Sequence, residues 1–425
     1  MKRVLCCPEA FLPKHLDPDV LYFTMFSSSS FTGIGHVAIK LPNMVRKYGL
    51  MPSVRVWDFV TIALAVAATD KAIQRKDSAD GWTRIIELSV CLNEPALWDS
   101  QRTEMEALLR FLTGDFWTLH FLPGDTKVPA AKKSKNQTAD CVCLLSGGID
   151  SLVGSIDLTS SVRKPLFVSQ VVRGEMNSQK KFAVALGGLE RHCQWSFAFQ
   201  HPDLFERETS TRARSIVFFA FAALAATAIR SDKKLPVEVI VPENGFISLN
   251  VPLGPGRLGS LSTKTTHPVY MDRIQALWDA VGIPCKLSTP YLNRTKGELL
   301  SMCVDQKLLV KLIGDSVSCG KYQRHNLTHC GECVPCMVRR AAFIKANLRD
   351  TTSKGYIRLK LAQSSKSDVA AVASAYLQYQ DKGAHRFTGG ALSFANHHNE
   401  RKHYEAVVAR GMDELGQLLS SHGVI

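Results

Sequence analysis

Cys141-Val142-Cys143-Leu144-Leu145-Ser146-Gly147-Gly148-Ile149-Asp150-Ser151 is the stretch on which the fold turns. Its first five residues are apolar and suit a strand buried on both faces, and the paired glycines then let the backbone curl. Leu152 to Leu158 suits a helix starting just past the turn. Inward-facing N–H groups beside a helix N-terminus form a nest for an anion, and Ser146 and Ser151 add hydroxyl donors. Asp150 cannot take a phosphate itself, which leaves it to hold Mg2+ or to orient the loop. No Gly-Lys-Ser/Thr ending follows, so this is not the Walker loop of γ-phosphate hydrolases. The competing reading is a plain strand–turn–helix corner rich in Gly and Ser. The position of the loop on the first strand of an alternating pattern weighs against it.

That pattern continues downstream. Leu166 to Val172 reads as a strand, Lys180 to Leu189 as a helix and Trp195 to Phe199 as a third strand. Ser215 to Ile229 is a long apolar helix and Val237 to Val241 a fourth strand. The alternation predicts an α/β fold, a doubly wound parallel sheet, with ligands at the carboxyl ends of its strands. Ser169 and Gln170, at the end of the second strand, therefore join residues 146–151 as candidate nucleotide contacts. Upstream, Asp58 to Ile73 has helical character and Trp82 to Leu92 is strand-like. Met105, Leu108, Leu109 and Leu112 recur at helical spacing, and Gly114 can close that helix. Residues 1–127 thus read as an accessory α+β domain and the basic, polar stretch 128–139 as a linker. Residues 140–348 form the sheet domain and 349–425 a helical tail. Tyr404, Val407, Val408, Leu415, Leu418 and Leu419 sketch a last amphipathic helix in that tail, weakened by Gly411 and Gly416.

The 425 residues are 45% apolar and 21% charged, ordinary for a globular chain, and carry a net charge of +14. Such a balance favours anionic partners, namely nucleotides, nucleic acid or an acidic protein. Met1 to Pro8 does not read as a signal peptide, and Ser215 to Ile229 is too short to span a bilayer. The expected compartment is the cytoplasm, where the twelve cysteines serve as thiols or metal ligands. Two Asn-x-Thr matches, at Asn136 and Asn326, are chance in that setting. Cys319, Cys330, Cys333 and Cys336 are spaced C-x10-C-x2-C-x2-C. Paired knuckles of this kind hold a tetrahedral zinc, and four thiolates leave no open position, so the ion would be structural. An iron–sulfur cluster is the competing metal. His325 and His329 lie inside the motif as bystanders.

Residues 146–151 resemble the SGGxDS signature of the PP-loop ATP pyrophosphatases, which form adenylates and release pyrophosphate. With the cysteines, they look like the 7-cyano-7-deazaguanine synthase family (QueC). Cys330-Gly331-Glu332-Cys333-Val334-Pro335-Cys336-Met337-Val338-Arg339, with Cys319 before it, is similar to that family's zinc segment. Thr295-Lys296-Gly297-Glu298-Leu299 is similar to its Thr-Lys-x-Glu segment; Thr295 and Glu298 also make a capping box that puts Lys296 in the first turn of a helix. Arg214-Ser215 looks like its Arg-Asn pair, with Ser in place of Asn. The resemblance implies ATP, Mg2+ and Zn2+ as cofactors and Asp150, Lys296 and Arg214 as catalytic residues. It implies adenylation of a carboxylate of the 7-deazaguanine type, then attack by ammonia or by an amine of a partner protein. It covers about Asp140 to Leu348.

The family's Gly-Tyr-Pro-Asp-type substrate segment is not found. In its place Glu243, Asn244, Asn250, Thr266 and His267, with Ser262 and Thr263 between them, form a polar stretch expected to bind substrate. The extra N-terminal domain and tail are similar in layout to the longer QueC-like proteins of bacterial anti-phage defence cassettes of the Qat kind. That layout implies other proteins of a defence operon as partners. Two further readings stand beside this one: a PP-loop enzyme that modifies RNA or DNA, and a non-catalytic ATP-binding subunit of a defence complex.

Overall fold

The structure, a computed structural model, describes residues 2–133, 135, 138–201, 207–229, 235–253, 264–365, 367–395 and 397–425. Ser262 and Thr263 of the expected substrate stretch, and Asn136, lie outside the described residues.

Strands β1 (Lys2–Cys7), β2 (Val20–Met25), β3 (Gly35–Val37), β4 (Ile85–Leu92) and β5 (Phe116–Pro123) pair in parallel in the order β5-β4-β1-β2-β3. Helices α1 (Leu41–Tyr48), α2 (Val54–Ala72), α3 (Pro95–Asp99) and α4 (Arg102–Thr113) connect them. Ile86, Leu88 and Val90 alternate inward on β4, and Gly114 ends α4 in the left-handed conformation expected of it. The region expected as α+β is therefore a parallel α/β layer. Its first strands escaped notice because β1 opens on Lys2-Arg3 and β3 spans three residues, so neither carries a clear alternation.

The second sheet holds β6 (Cys141–Leu144), β7 (Pro165–Gln170), β8 (His192–Trp195), β10 (Val237–Ile240) and β11 (Cys285–Ser288), all parallel, in the order β11-β10-β6-β7-β8. Its helices are α5 (Ile149–Thr159), α6 (Met176–Leu186), α7 (Arg214–Ala226), α8 (Gly245–Ser248), α9 (Pro268–Val281), α10 (Lys296–Met302) and α11 (Gln306–Leu312). The doubly wound α/β sheet is thus present. The third strand is not the single run from Trp195 to Phe199 that the sequence implied. β8 ends at Trp195, and β9 (Phe199–Gln200) crosses to pair antiparallel with β3 of the first sheet.

That crossing is one of several ties between the sheets. The most extensive is α2 against α7, both apolar on nearly every face and rich in Ala, so that their backbones pack closely. One continuous core runs from Phe23, Trp57 and Leu88 to Val142, Val168 and Trp278. The expected linker lies along the first layer, where the Ala131 N–H donates to the Leu50 carbonyl at 2.9 Å and Lys135 Nζ to the Lys47 carbonyl at 2.8 Å.

Helices α12 (Val334–Lys345), α13 (Ser367–Thr388, kinked at Gly383) and α14 (His398–Ser421) form a third unit with α8 and a core of their own. The two glycines expected to weaken α14 are packing sites. A Cβ on Gly411 would stand 2.3 Å from the Phe246 ring, and one on Gly416 2.3 Å from the Tyr376 ring. Among the described residues no helix is long and apolar enough to cross a membrane.

Candidate functional site

The turn after β6 is built as its residues require. Gly147 has φ +90°, a conformation that side chains resist, and Gly148 caps α5. Ser146 Oγ accepts from the Gly148 N–H at 3.3 Å and donates to Ser151 Oγ at 3.1 Å, and Ser151 Oγ contacts the Gly148 carbonyl at 3.1 Å. Both hydroxyls therefore brace the loop, while the first-turn amides of α5 have no helical acceptor of their own. Gln179 Nε2 donates to the carbonyls of Ser146 and Gln170, each at 3.1 Å, and the Val317 N–H donates to the Gly147 carbonyl at 2.9 Å.

Behind the loop lies a buried polar cluster. Asp150 is 3% exposed, and its carboxylate pairs with the Lys296 ammonium and accepts from Asn244 Nδ2 at 2.6 Å. Burial would raise the Asp150 pKa, but the Lys296 charge and hydrogen bonds from Glu243, Lys296 and Asn244 hold it below the usual carboxylate range. Burial and the adjacent Asp150 charge push Glu243 well above that range, and its carboxyl shares a hydrogen bond with Asp150. A cavity of 220 Å³ opens on this cluster, bounded by Ser146, Gly148, Asp150, Glu243, Asn250 and Lys296.

Lys296 is held from two sides. Thr295 and Glu298 form the expected capping box of α10. From α14, Glu414 accepts hydrogen bonds from the Thr295 hydroxyl and, at 3.3 Å, the Gly297 N–H, while Arg410 pairs with Glu298 at 2.6 Å. Sequence reasoning missed Glu414 and Arg410, because they lie more than a hundred residues from the motif they support and sit on a helix recognised only by its apolar stripe.

The remaining candidates divide. Arg214 and Gln170 line a second cavity, of 880 Å³, that also reaches Glu175. The loop stands between the two cavities: a Cβ on Gly147 would touch Gln179 and Glu175, at 3.4 and 3.6 Å. Ser169 is fully buried and engaged with the Leu145 carbonyl at 2.6 Å and His192 at 2.8 Å, so it supports the loop from beneath. Asn244 is engaged at both ends, by Asp150 and by the Ile247 N–H at 3.1 Å. Thr266 bonds Ser248 at 3.0 Å. His267 caps α9 and packs on Phe111 and Phe394; burial, then Lys264, lowers its pKa to about 4. Thr266 and His267 thus sit in the packing between α8, α9 and the tail rather than in either cavity. The sequence placed them at the right edge of the sheet but could not show which way their side chains point.

The four cysteines converge, with Sγ atoms all within 4.8 Å of one another and two Sγ–Sγ distances of 3.9 Å. A tetrahedron with zinc–sulfur bonds of ~2.3 Å has edges of about 3.8 Å, so the cage fits a single zinc ion. Amides of Lys321, Cys330 and Cys333 point at these sulfurs at 3.3–3.4 Å, which stabilises thiolates. His329 accepts from the Ser318 N–H at 3.2 Å and stays out of the ligand set, as expected. Arg339 is fully buried; it pairs with Asp350 at 2.9 Å and donates to the Ser316 carbonyl at 3.0 Å. It thereby fixes the segment whose Val317 touches the loop at Gly147. All twelve cysteines are free.

A parallel sheet with this loop after its central strand, and a cysteine cage beside it, defines a PP-loop protein. Residues 266–347 match the family described as "Queuosine biosynthesis protein QueC", a span that takes in Lys296 and all four cysteines. The 7-cyano-7-deazaguanine synthase of Methanococcus maripaludis is 26% identical over 249 residues, covering 50% of this chain and 97% of that protein. The enzyme of the same description from Methanocaldococcus jannaschii is 33% identical over 69 residues, 16% of this chain and 30% of that protein. No solved structure matches the chain. The chain is thus similar over part of its length to QueC proteins, with a first sheet and a tail added around the QueC-like part.

Proposed function

We propose that the protein is an AMP-forming ligase that activates a carboxylate of the 7-deazaguanine type with ATP. One carboxylate oxygen attacks the α-phosphorus, the bond to the β-phosphate breaks, and pyrophosphate leaves. A nitrogen nucleophile, ammonia or the amine of a partner protein, then attacks the acyl carbon; the carbon–oxygen bond breaks, AMP departs and the nitrogen loses a proton. The first-turn amides of α5 hold phosphate oxygens, and Lys296 supplies positive charge where negative charge builds on the leaving group. Arg214 faces the other side of the loop and holds a second anionic group.

Asp150 and Glu243 present hard oxygen donors to one cavity, which fits Mg2+. Bound there, the ion would neutralise phosphate charge, and Glu243 would give up its proton to bind it. The cysteine cage fits zinc, whose work is structural. The observation that carries the reading is the buried Asp150–Lys296–Glu243 cluster opening at the loop. The similarity of the chain to the two synthases supplies the substrate class. The added layer and tail support a place in an anti-phage defence operon, in the cytoplasm.

The test is turnover of ATP by the full chain with 7-carboxy-7-deazaguanine. AMP and pyrophosphate in equal amounts are expected, and nucleic acid should not be required. An absolute requirement for RNA or DNA would favour the nucleic-acid-modifying alternative.

A further inference from the structure

The larger cavity is not made by the QueC-like part alone. One wall comes from the end of α2 in the first layer, where Lys71 faces Arg214 and Arg173 across 880 Å³ of open space. Two of the three acids lining this cavity, Asp70 and Glu208, are engaged elsewhere, and the third, Glu175, lies within reach of the Arg214 charge. Asp70 takes Arg84 at 2.5 Å and the amides of Arg212 and Ala213 at 2.7 and 2.8 Å. Glu208 takes the amides of Arg75 and Ser210 at 2.8 and 2.5 Å. Glu175 is raised by burial, with the Arg214 charge opposing. Among the described residues, Lys71, Arg173 and Arg214 make no ion pair.

Lys71 is partly buried, its Nζ 5.4 Å from the centre of the Phe199 ring. Burial, then the charges of Arg207 and Arg214, lowers its pKa. Holding a half-desolvated ammonium beside like charges costs free energy that an anion in the cavity would offset. We infer that the first layer completes the reactant cavity, and that Lys71 acts with Arg214 to bind an anionic group of a reactant. That group is a phosphate of the nucleotide or the carboxylate to be activated. The inference rests on the ligase reading for its choice of reactants.

The test uses the full chain as wild type, Lys71→Met, Lys71→Gln and Lys71→Arg. Calorimetric titrations with ATP and with 7-carboxy-7-deazaguanine are run beside the pyrophosphate assay. A tenfold or greater loss of affinity for one ligand in both neutral variants is expected, with recovery in Lys71→Arg and an unchanged melting temperature. Loss toward ATP identifies the phosphate; loss toward the acid identifies the carboxylate. Affinities within twofold of wild type for both ligands overturn the inference while leaving the ligase intact. A wild type that binds both ligands yet releases no pyrophosphate overturns the ligase reading, and the titrations still decide on Lys71. A wild type that binds neither overturns both.

Discussion

At the scale of single residues, Asp150 and Lys296 act as a unit. Asp150→Asn leaves a buried ammonium without its counter-charge, so a stability loss of about 3–5 kcal/mol is expected along with loss of turnover. Adding Lys296→Met should recover part of that stability and none of the activity; denaturant melts of the two single variants and the double variant would show a non-additive cycle. Lys296→Met alone should slow pyrophosphate release by roughly 10²–10³-fold. Glu414 gives a pH signature. Burial pushes its pKa up to about 7, with hydrogen bonds from Thr295 and Gly297 opposing. A carboxyl raised in the folded state is neutral in both states at low pH and costs stability as pH climbs from about 4.5 through 7. The melting temperature of Glu414→Gln minus that of wild type should therefore rise between pH 5 and pH 8; a flat or falling difference would count against the buried geometry. Asp150, the loop and the cysteines were legible in the sequence because each is a short motif whose chemistry needs those residues at that spacing. Glu414, Lys71 and the upward shift of Glu243 were not, since each depends on neighbours brought from distant segments.

At the scale of elements, the site is held by pieces that meet it from outside the motif. Helix α14 supports α10 through Glu414 and Arg410 and reaches α8 through Gly411. Gly411→Val would drive methyl groups into the Phe246 ring and should cost about 1–3 kcal/mol, read as a fall in melting temperature. The reading of that glycine as a weak point failed because propensity sees a helix alone, whereas close approach to Phe246 decides the residue here. The cysteine cage holds the start of α12, and Arg339 carries its position to Val317 at the loop. Elemental analysis should find one zinc per chain and no iron; Cys333→Ser should lose the metal and melt at lower temperature. Iron with visible absorption would replace zinc by a cluster. The alternating elements of the second sheet were legible from their apolar runs. β9 and β11 were not: the first is two residues long, and half of the second is polar.

At the scale of the whole molecule, the QueC-like part is enclosed by a sheet on one side and a helical unit on the other. The shared core of α2 and α7 means that residues 140–425 alone would expose an apolar helix, so that fragment should aggregate when the full chain stays in solution. The sequence separated these layers at the basic stretch 128–139, because composition marks where a chain changes character and not which faces meet. The central claim is that this architecture splits ATP between its α- and β-phosphates. It is tested most directly by ³¹P spectroscopy of the full chain with Mg2+, ATP and 7-carboxy-7-deazaguanine. The account requires AMP and pyrophosphate in equal amounts, absent without the acid; ADP with inorganic phosphate would contradict it.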